Sequence, residues 1–204
     1  MAVRKIRCDG DEILIKTAKL VTKFDAKLAE FIDDMCETML ENNGIGLAAP
    51  QLGVLKRVVV IDLSSVDAIV SAEAADNAAV DKINEDKQKA CEENEKSEDL
   101  VDSENFENND DEFEESEILE LINPEIIEIE GVQERIEGCL SLPGKRGIVR
   151  RPMKTTVRAF DRSGNEFTVS GEGLLSVAFN HEIDHLNGVL YTERVVKMCE
   201  EDEG

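Results

Sequence analysis

The sequence predicts an α+β domain in which antiparallel sheets pack around a central helix, with a further amphipathic helix near the N-terminus. Three observations predict it: a helix-period apolar face after Asp25, short β-branched segments with a hairpin signal between two of them, and a long, nearly all-apolar helix at 174–186, without the rhythm of βαβ units. In the first helix, Leu28, Phe31, Ile32, Met35, Met39 and Leu40 recur at three-four spacing, and Asn43-Gly44 follows as a stop. Residues 57–63 (RVVVIDL) are short, β-branched and bounded by turns, so they read as a buried strand, and strand-like alternation resumes over 118–130 around Asn123-Pro124. Segments 153–161 and 166–170 flank Arg162-Ser163-Gly164-Asn165, a hairpin turn. No internal repeat is present.

A chain of 204 residues with 41% hydrophobic residues suffices for one domain with a real core. Its formal charge of -23 argues against nucleic acid or an anionic membrane as principal partner, because a polyanion would be repelled. No apolar run reaches the roughly 18 residues of a membrane span. The opening MAVRKIRCDG lacks the apolar centre of a signal peptide, so a cytoplasmic protein is expected. Cys8, Cys36, Cys91, Cys139 and Cys199 are an odd number at irregular spacing without a CxxC pair, and no disulfide framework is expected.

The charge is concentrated. Residues 65–117 hold 20 acidic side chains and 4 lysines, a net -16, with Phe106 and Phe113 as their aromatics. So little apolar surface does not offset the entropy of ordering, and this block reads as a solvated insert between two strands. Its part 71–96 is rich in helix formers. The expected organisation is one domain over 1–204 interrupted by the insert 65–117.

Chemistry concentrates on the last helix, which carries His181-Glu182-Ile183-Asp184-His185, the H-E-x-x-H pattern. Residues four apart share a helix face, so two imidazoles can hold one metal while Glu182 acts on water beside them. These are the chain's two histidines, and Leu174, Leu175, Val177, Ala178, Phe179 and Leu186 make the helix apolar nearly all round. Unpaired polar groups buried on such a helix would cost about 1–3 kcal/mol each, which favours a metal site over two surface histidines. A catalytic site needs a third ligand, and Cys139 in Glu137-Gly138-Cys139-Leu140-Ser141 is the best candidate by chemistry, although a lone cysteine also serves as a small buried hydrophobe. The loop Gly44-Ile45-Gly46-Leu47-Ala48-Ala49-Pro50-Gln51 permits close backbone approach but fits no phosphate-binding spacing. Gln51 is there either as an amide donor to a substrate oxygen or as a residue that holds the loop.

Taken together and in order, GIGLAAPQ, EGCLS and HEIDH resemble the three signature motifs of the peptide deformylases, and the likeness extends over the 151 residues outside the insert. The resemblance implies removal of the formyl group from the initiator methionine of nascent chains, and an α+β fold whose central helix bears the histidines. It makes Cys139, His181 and His185 the metal ligands and Glu182 the general acid and base, which takes a proton from metal-activated water and returns it to the leaving amine. It assigns the oxyanion to the Gln51 amide, the Leu140 backbone N–H and the metal. Backbone groups of Ile45, Gly46 and Gly138 would pair with an extended peptide, and Glu137, Leu174, Val177 and Ala178 would line the methionine pocket. The family's metal is typically Fe2+, with Zn2+, Ni2+ or Co2+ as substitutes. The implied partners are N-formylmethionyl peptides of nascent chains, with no DNA and no membrane, for a protein taken as a monomer.

The chain departs from the family pattern in three places. The acidic insert is much longer than the usual connection. Asn180 stands where the family often has Gln, with effects expected only behind the ligand. The acidic end CEEDEG lacks the basic extension by which some members approach the ribosome, whose RNA would repel this surface. Two rivals compete with an active deformylase: a general H-E-x-x-H peptidase, and a non-catalytic paralogue with a structural metal, against which intact Glu182 and Gln51 speak.

Overall fold

A computed structural model describes residues 2–73 and 117–199. Met1–Val66 and Glu117–Gly204 group as one compact unit, and Asp67–Ser116 as another, of which only residues 67–73 are described. The first unit contains two antiparallel sheets. One has the order β1 (Gly46–Ala48), β2 (Val58–Asp62), β3 (Ile118–Glu130), β6 (Lys154–Phe160), β7 (Glu166–Glu172). The other has the order β4 (Gln133–Cys139), β5 (Leu142–Arg151), β8 (Val195–Met198).

The five-stranded sheet lies between α1 (Ala26–Glu41) and α3 (Gly173–Leu186). Because strand side chains alternate, Val58 and Val60 of β2 join Leu28, Ile32, Met35 and Met39 of α1, whereas Val59 and Ile61 join Phe179, Ile183 and Leu186 of α3. A strand covered on both sides needs apolar residues at every position, which is why VVVI reads so clearly. Asp25 caps α1, its side chain accepting from the Leu28 N–H at 3.0 Å. Leu40, expected on the buried face, is 40% exposed. At about 100° per residue it stands a quarter-turn beyond Met39, off the stripe set by Leu28, Ile32 and Met35.

β2 and β3 form a hairpin whose connection is the acidic segment. Asp62 pairs with Ile118, and just beyond them the Leu63 N–H donates to the Glu117 carbonyl at 2.9 Å. Residues 63–73 are helical (α2), started by the Asp62 carboxylate, which accepts from the Ser64 N–H and the Ser65 hydroxyl. Val66, counted with the acidic block in the sequence, packs with the α3 side of the core. Of the stretch 71–96 rich in helix formers, residues 71–73 are described and are helical; its remainder, Phe106, Phe113 and Cys91 lie outside the described residues, as do 200–204. β3 is kinked at Asn123, whose φ of 53° interrupts the register with β6 and whose side chain donates to and accepts from the backbone of Val21.

The hairpin β6–β7 turns at Asp161, whose carboxylate accepts from the N–H groups of Ser163 and Asn165. Among the described residues Cys8, Cys36, Cys139 and Cys199 are free thiols, and no helix is long and apolar enough to cross a membrane.

Candidate metal centre

α3 is buried on most sides, and one face presents His181 and His185 with ring centroids 5.0 Å apart. Cys139 comes from the other sheet. The β4–β5 register breaks between Gly138 and Cys139, at the last residue before a tight turn, and this irregularity sets the thiol beside the imidazoles. Its Sγ is 3.2 Å from His185 Nε2, and one ligand atom from each of Cys139, His181 and His185 lies within 4.8 Å of the others.

Behind the cluster runs a chain of charged groups. His181 Nδ1 meets Glu137 Oε2 at 2.8 Å, which turns Nε2 toward the thiol. Arg151 donates to both Glu137 oxygens, at 2.7 and 3.0 Å, and to Asp184 Oδ2 at 2.6 Å. Asp184 also accepts two bonds from Arg194, at 2.6 and 2.7 Å. Glu137 therefore reaches His181 and Arg151 through its carboxylate, and only its stem remains for the methionine pocket to which the resemblance assigns it.

Gln51 stands in a 3₁₀ turn (Ala49–Leu52) after β1. Its Oε1 accepts from the Ala48 N–H at 2.8 Å, and its Nε2 points across to Cys139 Sγ at 3.5 Å and Ser141 Oγ at 3.2 Å. The loop-holding alternative for Gln51 is thus met by its oxygen, while its Nε2 faces the thiol of the cluster and the Ser141 hydroxyl. Glu182 is buried, and its Oε2 has no protein partner among the described residues. It sits against Gly46, where an added Cβ would come within 2.6 Å of Oε1, so glycine is required there for space.

Protons alone leave this cluster strongly perturbed. Burial raises Glu182 to about 7. Burial works against a charge on His181, but hydrogen bonds with Cys139 and Glu137 and the nearby Glu182 outweigh it and lift the imidazole to about 10. Burial, with His181 and Arg151 adding to it, drives His185 well below its usual value. Glu137 is held low because the bonds from His181 and Arg151 overcome its burial.

The donor set fits a divalent ion. A thiolate and two imidazoles around a tetrahedral ion stand roughly 3.5 Å apart, comparable with the 3.2 Å between Cys139 and His185. The Glu137–His181 pair also supplies the carboxylate that usually orients a ligating imidazole.

The other sequence-derived residues fall in several places. β1, with Gly46, is an edge of its sheet, and β4, with Glu137 and Gly138, is an edge of the other. The Ile45 carbonyl accepts from the Asp62 N–H at 2.8 Å. Leu140 is half-buried on the α1 side and touches the space beside Gly44. Leu174 and Ala178 pack with the core under the five-stranded sheet, and Val177 is buried one turn before His181. Asn180 donates to Thr155 Oγ1 and the Ser176 carbonyl, so it secures α3 to β6. The sequence reading missed Arg151, Arg194 and Tyr191. The signal available was Asp184 on a helix whose surroundings are apolar nearly all round, since a buried carboxylate requires a cation.

The polypeptide deformylase family model matches residues 3–102 and 100–201. A peptide deformylase of Acetivibrio thermocellus is 43% identical over 203 residues, covering 100% of this chain and 89% of the relative. The crystal structure of a peptide deformylase from Legionella pneumophila aligns with a TM-score of 0.70 at 36% identity, covering 95% of this chain and 86% of that one. That of Synechococcus elongatus in complex with actinonin aligns with a TM-score of 0.70 at 32% identity, covering 94% and 80%. Matches of this length and identity, on a chain whose three motifs meet around one Cys–His–His set that could hold a metal ion, place this chain in the polypeptide deformylase family, hydrolases that remove the N-formyl group from the initiator methionine of nascent polypeptides.

Proposed function

We propose that this chain deformylates N-formylmethionyl peptides at the Cys139–His181–His185 cluster, with those three side chains holding one divalent ion. The observation that carries this is a buried Glu182 whose Oε2 has no protein partner among the described residues, on the helix that supplies two of three converging ligand atoms. When bound there, the ion supplies Lewis acidity and lowers the proton affinity of water. Glu182 takes the proton of the attacking water and delivers it to the amine as the C–N bond breaks, leaving formate and a free N-terminal methionine. The Gln51 Nε2 and the Leu140 N–H hold the developing oxyanion, each such donor worth about 3 kcal/mol. An extended peptide adds to the edge strands through main-chain groups of Ile45, Gly46 and Gly138, which accepts many sequences after methionine. Its methionine lies against Leu174, Val177, Ala178 and the stem of Glu137.

We assign Fe2+ as the working metal. Thiolate and imidazole donors accept Zn2+, Ni2+ and Co2+ as well, so supply decides occupancy. The protein acts as a cytoplasmic monomer of one domain over 1–204, interrupted by the acidic insert 65–117. Its net charge of -23 disfavours DNA, anionic membranes and the ribosomal RNA surface.

Formate release from formyl-Met-Ala-Ser by protein loaded anaerobically with Fe2+ tests the reading. Wild type should release formate, and Glu182→Gln should keep the metal and lose at least about 100-fold in turnover. An active Glu182→Gln enzyme would sink the assigned mechanism; cleavage of unformylated peptide without formate would select a peptidase.

A further inference from the structure

The segment that follows α3 turns back and returns two side chains to the metal cluster. Gly188, at φ 73°, allows the reversal, and a Cβ there would lie 2.6 Å from the Ile15 carbonyl oxygen. A 3₁₀ turn (Tyr191–Glu193) follows, fixed by the Leu190 N–H donating to Glu193 Oε1 at 3.0 Å. The Tyr191 ring stacks on His181 with centroids 5.8 Å apart and 24° between planes, and its hydroxyl donates to the Lys145 carbonyl of β5 at 2.9 Å. The next side chain beyond the turn is Arg194, which grips both oxygens of Asp184.

Charge balance explains what Arg194 does. The side chains of Glu137, Arg151 and Asp184 are 3%, 3% and 9% exposed, so two buried carboxylates share one buried guanidinium. That trio alone leaves a negative charge uncompensated in a poorly solvated place. Arg194, with 48% of its side chain exposed, adds the second cation from the solvent side. With Asp184 satisfied from outside, Arg151 commits two of its three bonds to Glu137, and Glu137 remains on His181.

Resting on the reading of Cys139, His181 and His185 as metal ligands, we propose that Arg194 is a positioning residue for the metal centre, acting through Asp184, Arg151 and Glu137 to fix the orientation of the His181 imidazole. Without it, Asp184 draws Arg151 toward itself, Glu137 loosens, and the imidazole no longer holds one orientation. The effect falls on metal affinity and kcat rather than KM, since the bonds of Arg194 lead to Asp184 behind the cluster.

The test is a Co2+ titration of metal-stripped full-length protein, followed by the thiolate charge-transfer and visible bands of cobalt. Arg194→Met should weaken Co2+ binding about tenfold, alter the visible bands and lower kcat at unchanged KM. Arg194→Lys, which restores charge without the planar fork, should recover part of the loss. Arg162→Met is the control: it removes another partly exposed arginine paired with two carboxylates, Glu120 and Asp33 on the α1 side, and should leave Co2+ affinity unchanged. Wild-type affinity and spectrum in Arg194→Met overturn the proposal whatever the melting temperature; if that variant does not fold, wild-type affinity in Arg194→Lys does so. Weakened Co2+ binding in a protein that releases no formate would retire the deformylase reading and sustain this proposal. Undiminished Co2+ binding by Cys139→Ala would remove the ligand assignment and this proposal with it.

Discussion

In β2 the residues Val58 to Ile61 are all fully buried, two against α1 and two against α3, whereas in β4 Ile136 is 61% exposed and its neighbour Glu137 is buried. The five-stranded sheet is held by apolar side chains on both faces. The three-stranded sheet has a small apolar cluster of Leu142, Val149 and Tyr191, and it is tied to α3 through Arg151 between Glu137 and Asp184. The two regions therefore answer differently to substitution. Apolar packing tolerates changes that preserve volume, but a buried ionic chain depends on each member, because removing one strands the others in a low dielectric.

The largest effect expected from this contrast is that of Arg151→Leu, which leaves Glu137 and Asp184 facing each other and should cost about 3–5 kcal/mol in urea unfolding. In β2, Ile61→Val should cost only about 1 kcal/mol. A loss below that of Ile61→Val would show that the chain of charges is decorative. Next comes Gly46→Ala, where β1 meets α3: its Cβ must push Glu182 aside, so kcat should fall by about 100-fold with unfolding little changed. Full activity in that variant would mean that the carboxylate has room the structure does not show.

A smaller effect sharpens the comparison from the α1 side, where Asp34 also binds an arginine, though a half-exposed one. Bonds from Arg4 hold the Asp34 carboxyl below its ordinary 3.8. A lowered folded value stabilises the fold above pH 3.8, and that contribution fades as pH falls through the lowered value. Asp34→Asn should cost under about 1 kcal/mol at pH 7 and converge on wild type below pH 3.8, as read by urea unfolding across pH. A gap independent of pH would remove the charge from the explanation. Smallest of all is replacement of 67–116 by a short Gly-Ser linker, because closure entropy varies slowly with loop length and the hairpin is tied at Leu63 and Glu117. Stability within about 1 kcal/mol and retained formate release are expected; failure to fold would show that the segment supports the core.

The same contrast explains what could be read beforehand. α1, β2, the β6–β7 hairpin and α3 are visible in sequence because burial on one stripe imposes a period, burial on most or all sides imposes an apolar run, and the hairpin carries its turn residues. β4 and β5 are not, since QERIEGC buries Glu137 and exposes Ile136. His181 and His185 were legible because helix spacing of four fixes their common face, with Glu182 beside it. Cys139 could only be nominated by chemistry, as its position follows from a register break against Leu142. Arg151 and Arg194 gave no periodic signal at all, for their partners are chosen by charge across 14, 33 and 10 residues.

The placement of the acidic connection within the β2–β3 hairpin also bears on the order of assembly. Cys139, His181, Glu182, His185 and the whole chain from Glu137 to Arg194 belong to the stretch after that connection, where β4–β5 and β6–β7 close through tight local turns. Gly46 and Gln51 belong to the stretch before it, and β2 finds β3 only by bringing together residues that a net charge of -16 keeps apart. Contacts of such different range form at different times. The C-terminal half can gather Cys139, His181 and His185 early, and the N-terminal half arrives afterwards with Gln51 and the glycine that seats Glu182, so under the proposed mechanism metal capture precedes catalytic competence.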